Sequence, residues 1–188
     1  MKRNLISGFI VFLLIAGLFL MQRNDEDQAS SRQSESTHAK QTAHTKSEPL
    51  QEGSAALDFS LETWTGDALQ LYNNNGKPTL INFWASWCPP CKKEMPHIQE
   101  AYEQYHDDLN FFMINLTFND NLEAMNRYIE ENEFTFPVLL DKTGDVTKEY
   151  EVMAIPTTYI VDANNVITHK VTGPMTTGML QSMLDEVK

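Results

Sequence analysis

Two cysteines, Cys88 and Cys91, stand three positions apart with Pro89 and Pro90 between them, and the sequence on either side leaves few folds open. Ahead of them Thr79-Leu80-Ile81-Asn82-Phe83-Trp84 is an almost continuous apolar run of strand length, the pattern of a strand buried on both faces. Behind them Met95, Ile98, Ala101, Tyr102 and Tyr105 recur at three- and four-residue spacing, so a helix is expected from Pro89 to about His106. Pro89 and Pro90 suit its first turn, where a backbone N–H has no helical partner to lose. The cysteine pair therefore marks a strand-to-helix junction. A thiol at that point faces unpaired N–H groups and the positive end of the helix dipole, and both favour its thiolate. Cys88 is the expected nucleophile, held partly uncovered. Cys91, about one turn inside the helix, can then attack the mixed disulfide that Cys88 forms with a substrate; run backward, the same pair oxidises dithiols. A structural staple is a poor reading, because a bridge between residues so close constrains the unfolded chain little.

The remaining pattern builds an α/β fold around this junction. Leu57 to Leu61 and Ala68 to Leu71 flank the turn material Glu62 to Asp67 and suggest an N-terminal hairpin. After the cysteines come a strand at Leu109 to Leu116, a helix near Leu122 to Glu131, a strand at Pro137 to Leu140 and a short helix near Val146 to Tyr150. Strands at Thr157 to Val161 and Val166 to Val171, joined by the turn Asp162 to Asn165, and a helix near Thr177 to Val187 close the chain. Strands alternating with helices, then a hairpin and a helix, imply a mixed central sheet flanked by helices on both faces. Met95, Met113, Met125 and Met153 are expected to fill its core, and Trp84 to lie beneath the strand.

The first residues read as targeting. From Asn4 to Gln22 run nineteen residues without a charge, which as a helix would span about 28 Å, near the thickness of bilayer hydrocarbon. Lys2 and Arg3 precede that stretch without an acid, which keeps the N-terminus cytoplasmic and sends the rest of the chain outside. Residues 1–22 are thus expected to be a transmembrane signal-anchor, because no small-residue cleavage site follows directly and no lipid-bearing cysteine is present. Residues 23–53 are rich in Ser, Gln, Thr, Glu and Lys with scarcely a hydrophobe, and are expected to be a disordered polar linker. The folded domain is then 54–188. Six basic and six acidic residues cancel within 1–53, so the whole net charge of −12 belongs to that domain. An acidic domain excludes the basic footprint of a nucleic-acid binder, and two cysteines are too few for a disulfide-knot scaffold or a four-thiolate zinc site.

A C-x-x-C alone also occurs in half zinc sites, but here its setting is specific. The string Phe83-Trp84-Ala85-Ser86-Trp87-Cys88-Pro89-Pro90-Cys91, Pro96 five residues on, and Ala154-Ile155-Pro156-Thr157-Thr158 resemble the thioredoxin superfamily. Within it the chain looks most like the membrane-tethered, extracytoplasmic thiol-disulfide oxidoreductases of the ResA/TlpA type, through Lys92 to Pro96, Phe136 to Asp141 and Val171-Thr172-Gly173, over essentially residues 54–188. The resemblance implies a thioredoxin-like fold and a cis bond before Pro156. It places Ile155 and Pro156 opposite the cysteines, where the Ile155 backbone can pair with an extended substrate segment. It also implies substrate contacts from Trp87, as an apolar wall beside Cys88, and from Pro89 and Pro90.

Thioredoxin's buried acid falls at Asn82 here, and an amide cannot take a proton from Cys91. Glu94, three residues after Cys91 and on the same helix face, is the candidate general acid/base, and the resemblance to the ResA type implies that the glutamate of this Lys-Lys-Glu-x-Pro string is part of the active site. Pro96 is expected to kink the helix. Pro89 departs from ResA, which has an acid there, so the potential and the partner need not be the same.

The function expected is dithiol-disulfide exchange through Cys88 and Cys91 at the outer face of the cell membrane, reducing exported proteins such as apocytochrome c or envelope and spore assembly proteins. Electrons would come from a membrane-embedded thiol carrier, and the chain is expected to act as a monomer with no cofactor and no metal. The alternatives are a copper(I)-binding metallochaperone-like module and a thiol peroxidase; the first would want a third donor close to the thiolates, for which the sequence offers Met95 or Glu94 but no histidine at metal spacing. A thiol peroxidase would carry a threonine three residues before its reactive cysteine, and Ala85 stands there.

Overall fold

The structure is a computed structural model and describes residues 50–188. The anchor read at 1–22 and the linker up to residue 49 lie outside the described residues. Residues 50–53, read as the end of that linker, are part of the fold instead. Leu50 is buried, its carbonyl accepts from Lys170 Nζ at 2.9 Å, and the Gly53 N–H donates to the Ile167 carbonyl at 2.8 Å. One leucine with a place in the core is enough to order a polar segment that composition alone describes as unstructured. Among the described residues no helix is long and apolar enough to cross a membrane.

Two strands, β1 (Ser60–Glu62) and β2 (Ala68–Gln70), form the expected antiparallel hairpin. The main sheet has five strands in the order β5-β4-β3-β6-β7, made of β3 (Thr79–Trp84), β4 (Asn110–Asn115), β5 (Val138–Leu140), β6 (Thr157–Val161) and β7 (Ile167–Thr172). β4 lies parallel to both β3 and β5, whereas β6 runs antiparallel to β3 and β7 to β6. The helical connections from β3 to β4 and from β4 to β5 give parallel pairs, the chain reverses direction between β5 and β6, and a tight turn joins β6 to β7, so the sheet is mixed. Among the described residues four helices accompany it: α1 (Pro89–Tyr105), α2 (Leu122–Glu131), α3 (Asp145–Glu149) and α4 (Thr177–Val187). A 3₁₀ turn at Thr117–Asn119, which no periodicity announces, joins β4 to α2.

β3 is central and buried at all six positions. Its alternation sorts two cores. Leu80 and Trp84 pack on the face covered by α1, α2 and α4, with Met95, Ile98, Met113, Met125 and Leu180. Ile81 and Phe83 pack on the other, with Phe59, Tyr150, Tyr159 and Val161. Side chains of a strand alternate, so Asn82 shares the face of Leu80 and Trp84. A polar residue thus stands at the middle of the central strand, beneath α1. Met153 does not join the core: it is 94% exposed, just ahead of the bend at Ala154–Pro156.

Pro96 sits inside α1 without ending it. Having no N–H, it leaves the Lys92 carbonyl without its usual partner, and the Tyr128 hydroxyl of α2 donates to that carbonyl at 3.4 Å. The proline thereby ties α1 to its neighbouring helix.

Candidate active site

The buried run of β3 ends at Trp84, and the chain turns through Ala85, Ser86 and Trp87 into α1. The Cys88 N–H donates to the Ala85 carbonyl at 3.1 Å and closes that turn. Cys88 is the N-cap of α1 in extended backbone, and its Sγ accepts from the Cys91 N–H at 3.2 Å. Pro89 and Pro90 occupy the first helical positions, as their missing N–H groups allow. A sulfur in the place of a capping oxygen receives the orphan amides and the dipole together, which is the arrangement that stabilises a thiolate. In this state Cys88 and Cys91 are joined as a disulfide, with Cα atoms 5.3 Å apart.

The nucleophile is more covered than its sequence setting suggests. Cys88 keeps 2% of its exposure and Cys91 none. From the opposite side the segment before β6 closes over it, with the Ile155 carbonyl oxygen 3.7 Å from Cys88 Sγ. The bond from Ile155 to Pro156 is cis, as the resemblance implied. Below the bend, the Gly173 N–H donates to the Pro156 carbonyl at 2.8 Å and the Thr157 hydroxyl to the Ala154 carbonyl at 2.7 Å, which holds Ile155 at the sulfur. Trp87 is 54% exposed and Pro89 is exposed, while Trp84 is buried in the core as expected. The Trp87 indole N–H is committed to the Asn119 carbonyl at 2.8 Å.

Glu94 lies beneath this rim. It is 1% exposed on the inner face of α1. The Asn82 Nδ2 donates to Glu94 Oε1 at 2.8 Å and the Met175 N–H donates to Oε2 at 3.0 Å. Burial is the larger influence and pushes Glu94 up to about 7, against the two hydrogen bonds, which pull it down. A carboxyl poised there can exchange a proton near neutral pH. The candidate set of Cys88, Cys91, Glu94, Trp87, Pro89, Pro90, Ile155 and Pro156 thus divides between two stretches of chain that the β3–β6 pairing brings together.

Spacing gave no sign of a second set. The Asp120 carboxylate accepts from the Ser86 N–H and the Ser86 hydroxyl, each at 2.6 Å, from Asn115 Nδ2 at 2.7 Å and from the Asn121 N–H at 2.8 Å. With the Asn119–Trp87 bond, the loop from β4 to α2 grips both residues that lead into Cys88. Thr158, paired in register with Asn82, and the Met175 N–H complete the surroundings of Glu94. Thr158 adjoins the Pro156 motif and could have been read from it. Asp120 lies in a loop with no pattern of its own, and only the fold brings it to Ser86. Among the described residues no cluster of three or more His, Cys, Asp or Glu side chains is arranged to hold a metal.

Comparison with known proteins agrees with this geometry. Residues 53–170 match the model of the AhpC/TSA family. Thioredoxin-like protein YneN of Bacillus subtilis (strain 168) is 40% identical over 146 residues, 77% of this chain and 85% of that protein. Thiol-disulfide oxidoreductase ResA of Oceanobacillus iheyensis is 34% identical over 139 residues, 72% of each chain. The crystal structure of StoA from Bacillus subtilis superposes with a TM-score of 0.61 at 34% identity, over 67% of this chain and 95% of that one.

Proposed function

This chain belongs to the AhpC/TSA family and is a thiol-disulfide oxidoreductase of thioredoxin-like fold; on that premise we propose that it works outside the cytoplasm as a reductant of exported proteins. The observation that carries the exchange chemistry is the Cys88 sulfur at the N-cap of α1, with the Cys91 N–H at 3.2 Å on one side and the Ile155 carbonyl at 3.7 Å on the other.

The dithiol form starts the cycle. The Cys88 thiolate attacks one sulfur of a substrate disulfide; a Cys88–substrate bond forms, the substrate bond breaks, and the departing sulfur takes up a proton. An extended substrate segment lies along Ile155, so the attacked sulfur comes in line with Cys88. Glu94 then takes the Cys91 proton. The Cys91 thiolate attacks Cys88 Sγ, closing the intramolecular disulfide and releasing the second substrate sulfur, which takes up the proton that Glu94 gives back. Two electrons and two protons have passed to the substrate, and a dithiol donor must return them before the next turnover.

A membrane-embedded thiol carrier is that donor in our reading. Residues 1–22 anchor the chain in the cell membrane as a single span, residues 23–49 tether the domain, and a single copy acts by itself. Apocytochrome c and proteins of envelope or spore assembly are the proposed substrates. The resemblance to the ResA/TlpA type and the charge-free stretch after Lys2 and Arg3 support this reading.

Replacing Cys91 tests the chemistry. C91A is expected to trap a mixed disulfide through Cys88 that dithiothreitol releases, while the wild-type protein accelerates insulin reduction by dithiothreitol; the absence of both the trapped species and the acceleration would refute the exchange mechanism. Protease added to intact cells tests the location. The domain is expected to be degraded from outside, and full protection would overturn the extracytoplasmic assignment.

A further inference from the structure

We propose that Asn82 is a positioning residue for the exchange reaction, its side-chain amide turning over as Glu94 gains and loses a proton, so that it donates to the carboxylate and accepts from the acid. The inference rests on the reading of Glu94 as the group that takes the Cys91 proton.

The amide is fully buried at the middle of β3. Both its hydrogens are used: Nδ2 donates to Glu94 Oε1 at 2.8 Å and to Thr158 Oγ1 at 2.9 Å. Among the described residues its oxygen has no partner. An unpartnered buried acceptor is costly, yet this orientation is the one an ionised Glu94 requires, because both carboxylate oxygens then meet donors, Asn82 at Oε1 and the Met175 N–H at Oε2. Protonation changes the requirement. A backbone N–H is fixed and cannot become an acceptor, so Oε2 remains its partner and the new proton belongs on Oε1. Oε1–H then confronts an N–H donor.

Rotating the amide by half a turn about its Cβ–Cγ bond resolves the conflict at Glu94, and turns the NH₂ group to the place where Oδ1 stood without a partner. Oδ1 takes the place of Nδ2, accepting from Glu94 Oε1–H and from the Thr158 hydroxyl, which changes from acceptor to donor. Two hydrogen bonds exist before and two after. The carboxyl group keeps its position in both halves of the cycle, and the hydroxyl that makes this possible sits directly across the β3–β6 ladder. An aspartate at 82 could serve only the acid form, and as an anion would oppose ionisation of Glu94. A leucine would serve neither form.

Few other groups bear on Glu94. On α1 the titratable or charged neighbours are Cys91, Lys92, Lys93 and His97, and His97 Nδ1 is engaged with the Thr177 hydroxyl at 2.9 Å. β3 and β6 present Asn82 and Thr158, and the segment leading into α4 presents the Met175 N–H. On β7, His169 pairs with Glu186 of α4, and Asp185 accepts from Tyr105 at the far end of α1. Burial and the two hydrogen bonds move Glu94; no neighbouring charge is among the causes.

The full-length oxidised protein, labelled with ¹³C and ¹⁵N, tests the proposal by titration from about pH 5 to about pH 9, a range that brackets the titration of Glu94. The Asn82 side-chain NH₂ resonances and the Glu94 carboxyl carbon are expected to shift with one common midpoint, and E94Q to leave the Asn82 resonances independent of pH. N82L should raise the Glu94 midpoint by about one unit, since a donor to the anion is lost. Asn82 resonances that stay fixed while Glu94 titrates would overturn the inference, as would an unchanged midpoint in N82L. The insulin assay reports separately on the exchange reaction, so an inactive enzyme whose amide still follows Glu94 would overturn the proposed function and with it the positioning role of Asn82, whereas an active enzyme whose amide stays fixed would overturn this inference alone.

Discussion

Glu94 concentrates the cost and the use of a buried ionisable group in one side chain. Its folded value near 7 lies above the ordinary glutamate value of 4.5, so the native state holds this proton more tightly than the unfolded chain does. The stabilisation from that proton is complete below about pH 4.5 and is lost as pH rises through about 7, a difference on the order of 3 kcal/mol. E94Q removes the titration. Its melting temperature is expected to fall less than the wild type's between about pH 5 and pH 8, which thermal denaturation of the oxidised protein checks. In the proposed reaction the sign reverses, because the carboxylate is the form that can accept a proton from Cys91. The rate of disulfide closure should rise through about pH 7 in the wild type and lose that inflection in E94Q, by roughly tenfold to a hundredfold at the plateau. A pH profile unaltered in E94Q would remove Glu94 from the mechanism.

The active-site turn is held by an element distant in sequence. Ser86 and Trp87 precede the nucleophile, and both are secured by the loop that follows β4, through Asp120 and the Asn119 carbonyl. Two bonds at 2.6 Å from one residue to one carboxylate fix the start of α1 more firmly than its capping sulfur alone could. D120A is expected to cost about 1–3 kcal/mol by leaving the Ser86 N–H without its charged partner, and to slow exchange through a loosened Cys88. S86A removes only the hydroxyl and should cost less. Denaturant midpoints of the two variants and of the double mutant measure the coupling; simple additivity would contradict a direct grip. The elements themselves were readable in advance because each carries its own signal: β3 a continuous apolar run, α1 a three-and-four spacing opened by two prolines. The 3₁₀ turn and the Asp120 loop carry none, since their conformation is settled by partners far along the chain.

Across the molecule, the central strand decides what the site can do by lying between two cores and two catalytic segments. β3 leads into the cysteines, and its antiparallel neighbour β6 begins at the Pro156 bend, so the same ladder that stabilises the sheet sets Ile155 against Cys88. If the enzyme is a reductant, its reduction potential against glutathione or dithiothreitol buffers is expected near thioredoxin's about −270 mV; a value near about −120 mV would make it an oxidant. Local chemistry was enough to assign the cysteine pair, its strand-to-helix setting, the three-residue step from Cys91 to Glu94 and the acidity of the domain, because each is a matter of residue type and spacing along one element. Long-range packing alone decided the rest. Cys88 is almost covered because the Pro156 bend closes over it, Leu50 is ordered because the core has room for it, and Met153 is exposed because that bend turns it outward. Asn82 meets Glu94 only because the pleat of β3 aims it at α1, a contact between residues twelve apart whose donor and acceptor are brought together by the fold.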